Sequence, residues 1–210
     1  MKYIKALPLS ILLCFFFTDS VFSQVGIGTT SPSAHLEVDV SSDVNLPALE
    51  LNTQAVPTGS AEGQLAVIGD ATNGYKLYMY DDVRDKWLSV EVFVLPFGRN
   101  GNVDNTPMKT AGNVTNNRVG YRMPFNGTII HATVRTNDNS GAQAKQFDIQ
   151  VRTGNANISS TPITTAAAEA TNTALNVDFS AGNYINVRIN NDGNVNVNNP
   201  VVTLWVKWRQ

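Results

Sequence analysis

Three stretches in the C-terminal half alternate in side-chain character with a period of two, and this constrains the fold more than any other feature of the sequence. Phe147, Ile149 and Val151 alternate with Asp148, Gln150 and Arg152; Ile185, Val187 and Ile189 with Asn186, Arg188 and Asn190; Val202, Leu204, Val206 and Trp208 with Val201, Thr203, Trp205 and Lys207. Successive side chains of a β-strand point to opposite faces, whereas a helix repeats about every 3.6 residues. Each stretch is therefore a strand with one core face. Turn clusters separate them, among them Asn126-Gly127, Gly154-Asn155, Ala181-Gly182-Asn183 and Asp192-Gly193. Many short strands joined in this way predict an all-β fold, a jelly-roll-like β-sandwich head over 92–210. Ala166-Ala167-Ala168-Glu169-Ala170 has helix propensity, but flanking threonines and the lack of an amphipathic stripe make it a loop or irregular strand.

The alternation also assigns faces. Val202, Leu204, Val206 and Trp208 are expected to face the core, each large side chain contributing roughly 1.5 to 3 kcal/mol on burial. Val201 and Trp205 then lie on the opposite face, where exposed large apolar groups mark association surfaces or are covered by a sandwich edge. His131 is read as opposite in face to Ile130, Ala132 and Val134, a surface or interface histidine.

Upstream of the head the pattern thins. Residues 24–53 open with Val25-Gly26-Ile27-Gly28-Thr29-Thr30-Ser31-Pro32 and continue through Leu36, Val38 and Val40, alternating with His35, Glu37 and Asp39. Such a short, glycine-punctuated piece buries too little to offset backbone ordering, on the order of 1 to 2 kcal/mol per residue. An N-terminal β stem of associated copies, with Val25 and Ile27 between subunits, is the expectation. Residues 54–91 read as a β-hairpin region, with strands at 63–68, 76–80 and 87–90. The polar run Asp81-Asp82-Val83-Arg84-Asp85-Lys86 is its turn, because aspartate side chains bond nearby backbone N–H groups. A calcium loop there would lack alternating ligands and a central glycine.

Residues 1–23 have the order of a secretory signal peptide: Lys2 and Lys5, an apolar core over 7–17, then Val21-Phe22-Ser23 before the cleavage point. The apolar run is too short to span a bilayer, which takes roughly 20 residues, so no transmembrane segment is expected and the product is placed outside the cell or at its surface. Cys14, the only cysteine, lies in this leader. The exported chain must hold together without disulfides, by a sizeable core or by association.

Few groups suit catalysis. The two histidines, His35 and His131, accompany neither a nucleophile elbow nor a zinc-binding helix motif, and no metal site or cofactor is read. A glycosidase needs two carboxylates at suitable separation. Asp148 and Asp178 are the strand-borne candidates, but nothing points to them, and the expectation is a protein that is not an enzyme. Charge is uneven: residues 24–91 carry ten acidic side chains against three basic, and residues 92–210 six against ten. The head therefore either meets an anionic surface or simply scatters arginines over a solvated one. Without a basic stripe interleaved with aromatics, nucleic acid is not an expected partner.

Asparagine is abundant in the head, with 21 from position 100 onward. Side-chain amides donate to and accept from sugar hydroxyls. A shallow glycan site is expected from Asn190, Asn191, Asp192 and Asn194, with Tyr121 or Tyr184 as a stacking face. Asparagine is also an ordinary turn residue, which is the plainer account of such runs.

Two segments bear a resemblance. Val25-Gly26-Ile27-Gly28-Thr29-Thr30-Ser31-Pro32-Ser33-Ala34-His35-Leu36-Glu37-Val38 and the hairpin Leu77-Tyr78-Met79-Tyr80-Asp81 to Trp87-Leu88-Ser89-Val90 resemble tail-fibre-like and surface proteins of Bacteroidetes and their phages. Gly120-Tyr121-Arg122-Met123-Pro124-Phe125-Asn126-Gly127, Ala181-Gly182-Asn183-Tyr184-Ile185 and Asn199-Pro200-Val201-Val202 are similar to trimeric jelly-roll heads of fibres and of the C1q-like class. The resemblance implies a homotrimer with a thin stem and a β-sandwich head that binds a glycan or another cell-surface ligand. A structural subunit of an extracellular filament or sheath is the alternative.

Overall fold

The structure is a computed structural model, and it describes residues 25–27, 29–31, 34, 36–39, 45, 47–70, 74–110, 119–138, 143–190 and 196–210. The leader, His35, Asn191, Asp192 and Asn194 lie outside these residues. The described residues form strands and no helix, in several sheets. None of them belongs to a helix long and apolar enough to cross a membrane. Contacts divide the chain into two compact units, with the division between Leu51 and Asn52.

In the first unit β1 (Val25–Ile27) pairs in parallel with β2 (Leu36–Val38), and Asp39 N–H donates to the Ile27 carbonyl at 2.8 Å. Val25, Ile27 and Leu36 are all exposed. In a single chain this ribbon buries little apolar surface.

The second unit holds a small sheet and a sandwich. The small sheet runs β3 (Thr53–Gln54), β4 (Leu65–Asp70), β5 (Gly74–Asp81), β6 (Lys86–Ser89). The sandwich strands are β7 (Phe93–Gly98), β8 (Asn102–Val103), β9 (Tyr121–Arg122), β10 (Gly127–Arg135), β11 (Lys145–Thr153), β12 (Ala156–Thr165), β13 (Glu169–Asn172), β14 (Val177–Phe179), β15 (Tyr184–Ile189), β16 (Val197–Asn198) and β17 (Val201–Trp208). One main sheet has the order β13-β10-β17-β7, with β14 also on β10, and the other β12-β11-β15-β9. Every main-sheet pairing is antiparallel, and the chain crosses repeatedly between the two sheets. That double-sheet Greek-key winding is a jelly roll.

The predicted inward residues form the core. Phe147, Ile149, Val151, Ile185, Val187 and Ile189 from one sheet meet Val202, Leu204, Val206 and Trp208 from the other, all buried. Trp208 is held between Phe93 (centroids 4.5 Å apart) and Phe125 (5.4 Å). Gly127 opens β10 because a Cβ there would lie 2.3 Å from the Phe179 ring and 2.7 Å from the Lys207 carbonyl. Pro96 sits in edge strand β7, where a missing N–H is tolerated.

At one point the alternation breaks. β10 pairs with β17 through a register shift between Ile129 and His131. Ile129 takes the core position, and Ile130 is only half-buried. The expectation that Ile130 shares the core face with Ala132 and Val134 is thereby corrected. A bulge inserts one residue and turns its neighbour outward.

The boundary drawn at 91/92 falls inside this unit, because the small sheet is bolted to the sandwich. Arg84, in the polar run, donates from Nε to the Leu175 carbonyl (2.8 Å) and from Nη2 to the carbonyls of Ile130 (3.1 Å) and Thr173 (3.0 Å), while Asp81 holds Nη1 at 2.7 Å. Lys86 Nζ reaches Asn176 (2.7 Å) and Asp178 (2.9 Å). Along the C-terminal strand, Trp208 N–H donates to Ser89 Oγ (3.0 Å) and Gln210 Nε2 to the Tyr78 hydroxyl (3.0 Å). The run is a turn, since Arg84 N–H donates to Asp81 Oδ1 (2.9 Å), and also a clamp.

Candidate functional site

The two main sheets present different chemistry on their outward faces. On the β11–β15 sheet the outward residues are Gln146, Asp148, Gln150 and Arg152 of β11 and Tyr184, Asn186 and Arg188 of β15, with Asn190 just beyond its end. The register sets Arg152 opposite Tyr184, Gln150 opposite Asn186 and Asp148 opposite Arg188. Most of these groups are tied to one another or to nearby backbone. Asp148 accepts from Gln146 Nε2 and from Asn190 Nδ2, both at 2.8 Å. Arg152 donates to Gln150 Oε1 (3.2 Å) and the Asn155 carbonyl (2.8 Å), and Asn186 Nδ2 to the Val119 carbonyl (2.9 Å). Asp148, Gln150, Arg152 and Asn186 are themselves buried, so this network forms a covered polar layer that rigidifies the sheet.

One end of this face is different. Tyr184 lies between Arg152 on β11 and Arg122 on β9. Arg122 is exposed and borders a depression of about 510 Å³ with Met123, Pro124, Ala181 and Gly182. A tyrosine in register with exposed Arg122, which borders an open depression, suits a polar ligand with a ring to stack.

Of the residues named from sequence, the structure does not bring the two tyrosines together. Tyr121 is paired with inward-facing Ile185 and so lies on the core side of the sheet. It stands edge-on to Phe97 (5.3 Å) and donates from its hydroxyl to the Pro96 carbonyl (3.1 Å), pinning β9 to β7 of the other sheet. Asn190 is on the same face as Tyr184 but six residues along, about 20 Å at strand rise, and is engaged with Asp148. Arg122 was missed by sequence reading, and its only signal was a position one residue from Tyr121.

The outward face of the β10–β17–β7 sheet is mixed, with Thr133, Arg135, Thr203 and Lys207 alongside an apolar patch. Trp205 lies opposite His131 on β10 and Val94 on β7, with the His131 ring edge-on at 4.6 Å. Val92, Ile130, His131 and Trp205 line a depression of about 390 Å³. Val94 and Val201 are each about half exposed, at 51% and 48%.

The strand-borne carboxylates are occupied. Asp178 takes Lys86, Thr128 Oγ1 (2.6 Å) and the charge of Arg209 (3.5 Å). Partial burial alone would raise its pKa, but these bonds and charges outweigh burial and hold it below the usual carboxylate range. A general acid needs the opposite shift. Among the described residues, no three histidine, cysteine, aspartate or glutamate side chains gather to hold a metal ion.

Comparison with protein-family models, curated proteins and solved structures gives no match to this chain.

Proposed function

We propose that the chain is a secreted, homotrimeric, fibre-like binding protein, akin to the tail-fibre-like surface proteins it resembles, whose jelly-roll head contacts a glycan or another surface without catalysing a reaction. The observation that carries this reading is the division of labour between the two outward faces. An apolar patch centred on Trp205 suits burial against another copy, since contiguous exposed apolar surface marks association sites. The opposite face, ending in Tyr184 and Arg122, suits a polar ligand. The exposed ribbon of Val25, Ile27 and Leu36 gains a core only by association. Light scattering on residues 24–210, paired with a glycan array, tests the reading. A threefold mass with saccharide binding is expected, whereas a monomer that binds no saccharide ends it.

A filament subunit is the second reading, favoured by β12. This edge strand, Ala156–Thr165, carries no charged side chain, is largely exposed and is paired only with β11 among the described residues. An exposed, uncharged edge can add a strand over the stretch that Pro162 and the bulge near Asn157 do not protect. Electron microscopy of concentrated protein separates the two, because fibres from the purified chain support the second reading and discrete particles the first.

A further inference from the structure

Lys145 opens β11 in the same phase as Phe147, Ile149 and Val151, so its side chain enters the sandwich from the core side of the sheet. That side chain is wholly buried, and its Nζ makes no hydrogen bond. Beside it, at 3.5 Å, stands Oδ2 of the mostly buried Asp138. Lys145 is registered with Thr165 on β12, whereas Asp138 follows β10 of the other main sheet. The backbone fixes the carboxylate there. Asn137 N–H donates to the Asn198 carbonyl (2.8 Å), and Asn198 N–H donates back to Asp138 Oδ1 (3.1 Å) and Oδ2 (3.3 Å). A lysine ammonium carries three donors. Holding it and a carboxylate out of water is costly unless hydrogen bonds satisfy both, and here the ammonium has none.

We propose that Lys145 and Asp138 condense into an intramolecular isopeptide bond, Nζ to Cγ, which ties the exit of β10 to the start of β11 and so joins the two main sheets covalently. One proton passes from the ammonium to Oδ2, and the freed Nζ lone pair attacks Cγ. Negative charge that develops on Oδ1 is met by the Asn198 N–H already directed at it. The Cγ–Oδ2 bond then breaks with its electron pair on oxygen, and a second proton from nitrogen completes the departing water. An ammonium and a carboxylate become a neutral amide and one water, with no change of oxidation state and no co-reactant. Two effects favour the product. Burial no longer opposes a pair of charges, and folding holds the reacting groups side by side, which supplies the high effective concentration that condensation needs. Cys14, the only cysteine, falls in the expected leader, so this bond is the head's covalent brace in place of a disulfide. Such a brace is independent of what the head binds.

The test is tryptic mapping of the purified, denatured chain by mass spectrometry. Trypsin cleaves after a lysine only when its amine is free. Between the flanking cleavage points at Arg135 and Arg152, the expected product is an uncut fragment 136–152, lighter than its sequence by one water. Asp138→Ala restores both full mass and cleavage after Lys145. Lys145→Met, which keeps a long apolar stem in the core, gives fragment 136–152 at full mass. A parent chain that yields mainly 136–145 and 146–152 at full mass overturns the assignment, and this reading requires neither variant to fold. So does a water still missing from the Lys145→Met fragment, because the loss then lies in an aspartyl succinimide and not in a bond to lysine.

Discussion

The outward faces of the two sheets are built by the same alternation yet do opposite things. On β11 and β15 most outward residues are polar groups bonded to one another or to nearby backbone, with Arg152 Nε left buried without a partner. On β10, β17 and β7 they include the apolar Trp205, Val94 and Val201 beside Thr203 and Lys207, with the Arg135–Glu169 ion pair at one end. The lesson concerns burial. A polar face can meet most of its hydrogen-bonding needs within the chain, whereas an exposed apolar patch gains only from being covered.

Four changes sharpen or break this contrast. The largest effect belongs to neither face: Leu204→Ala opens a cavity in the shared core and should cost about 2 to 5 kcal/mol in denaturant unfolding. A loss below about 1 kcal/mol would mean that the sheets do not pack as described. Next comes Asp148→Ala, which removes the carboxylate that accepts from Gln146 and Asn190 and should cost about 1 to 3 kcal/mol. An unchanged midpoint would show that the polar face is merely solvated.

Acid comes third, and acts through Asp178. Its folded-state pKa is depressed, so its contribution is present above the unfolded value of about 3.9. That contribution is lost as pH falls through the folded value. Melting temperatures should drop below about pH 4, and by less in Asp178→Asn, in which the group no longer titrates. The smallest effect on the isolated fold is that of Trp205→Ser, within about 1 kcal/mol, while under the proposed trimeric reading its solution mass should fall toward that of a monomer. A variant that keeps its oligomeric mass would remove Trp205 from the interface and leave the apolar patch without its assigned partner.

Much of the fold was legible from side-chain order alone. The inward sets on β11, β15 and β17 follow directly from period two, because a strand's local geometry fixes which residues share a face. The turn at 81–86 was legible for the same reason, since donation from Arg84 N–H to the Asp81 side chain is a local event. The candidate site was less so. Tyr184 was named, but Tyr121 was grouped with it although Gly120-Tyr121 and Asn183-Tyr184 look alike in sequence and differ in pairing phase: Tyr121 is registered with Ile185 and Tyr184 with Arg122.

Composition and alternation by themselves determined that this chain makes sheets, which residues fill the sandwich core, and that one outward strand face carries a tryptophan. Only the tertiary structure decided that a bulge turns Ile130 outward, that Arg84 and Lys86 clamp the small sheet to carbonyls and carboxylates roughly 90 residues downstream in the chain, and that Lys76, Asn126 and Arg209 share one cavity. The reason is range. Alternation is a property of neighbours along the backbone, whereas register shifts and long-range ion pairs depend on which distant strand arrives alongside, and no local pattern encodes that arrival.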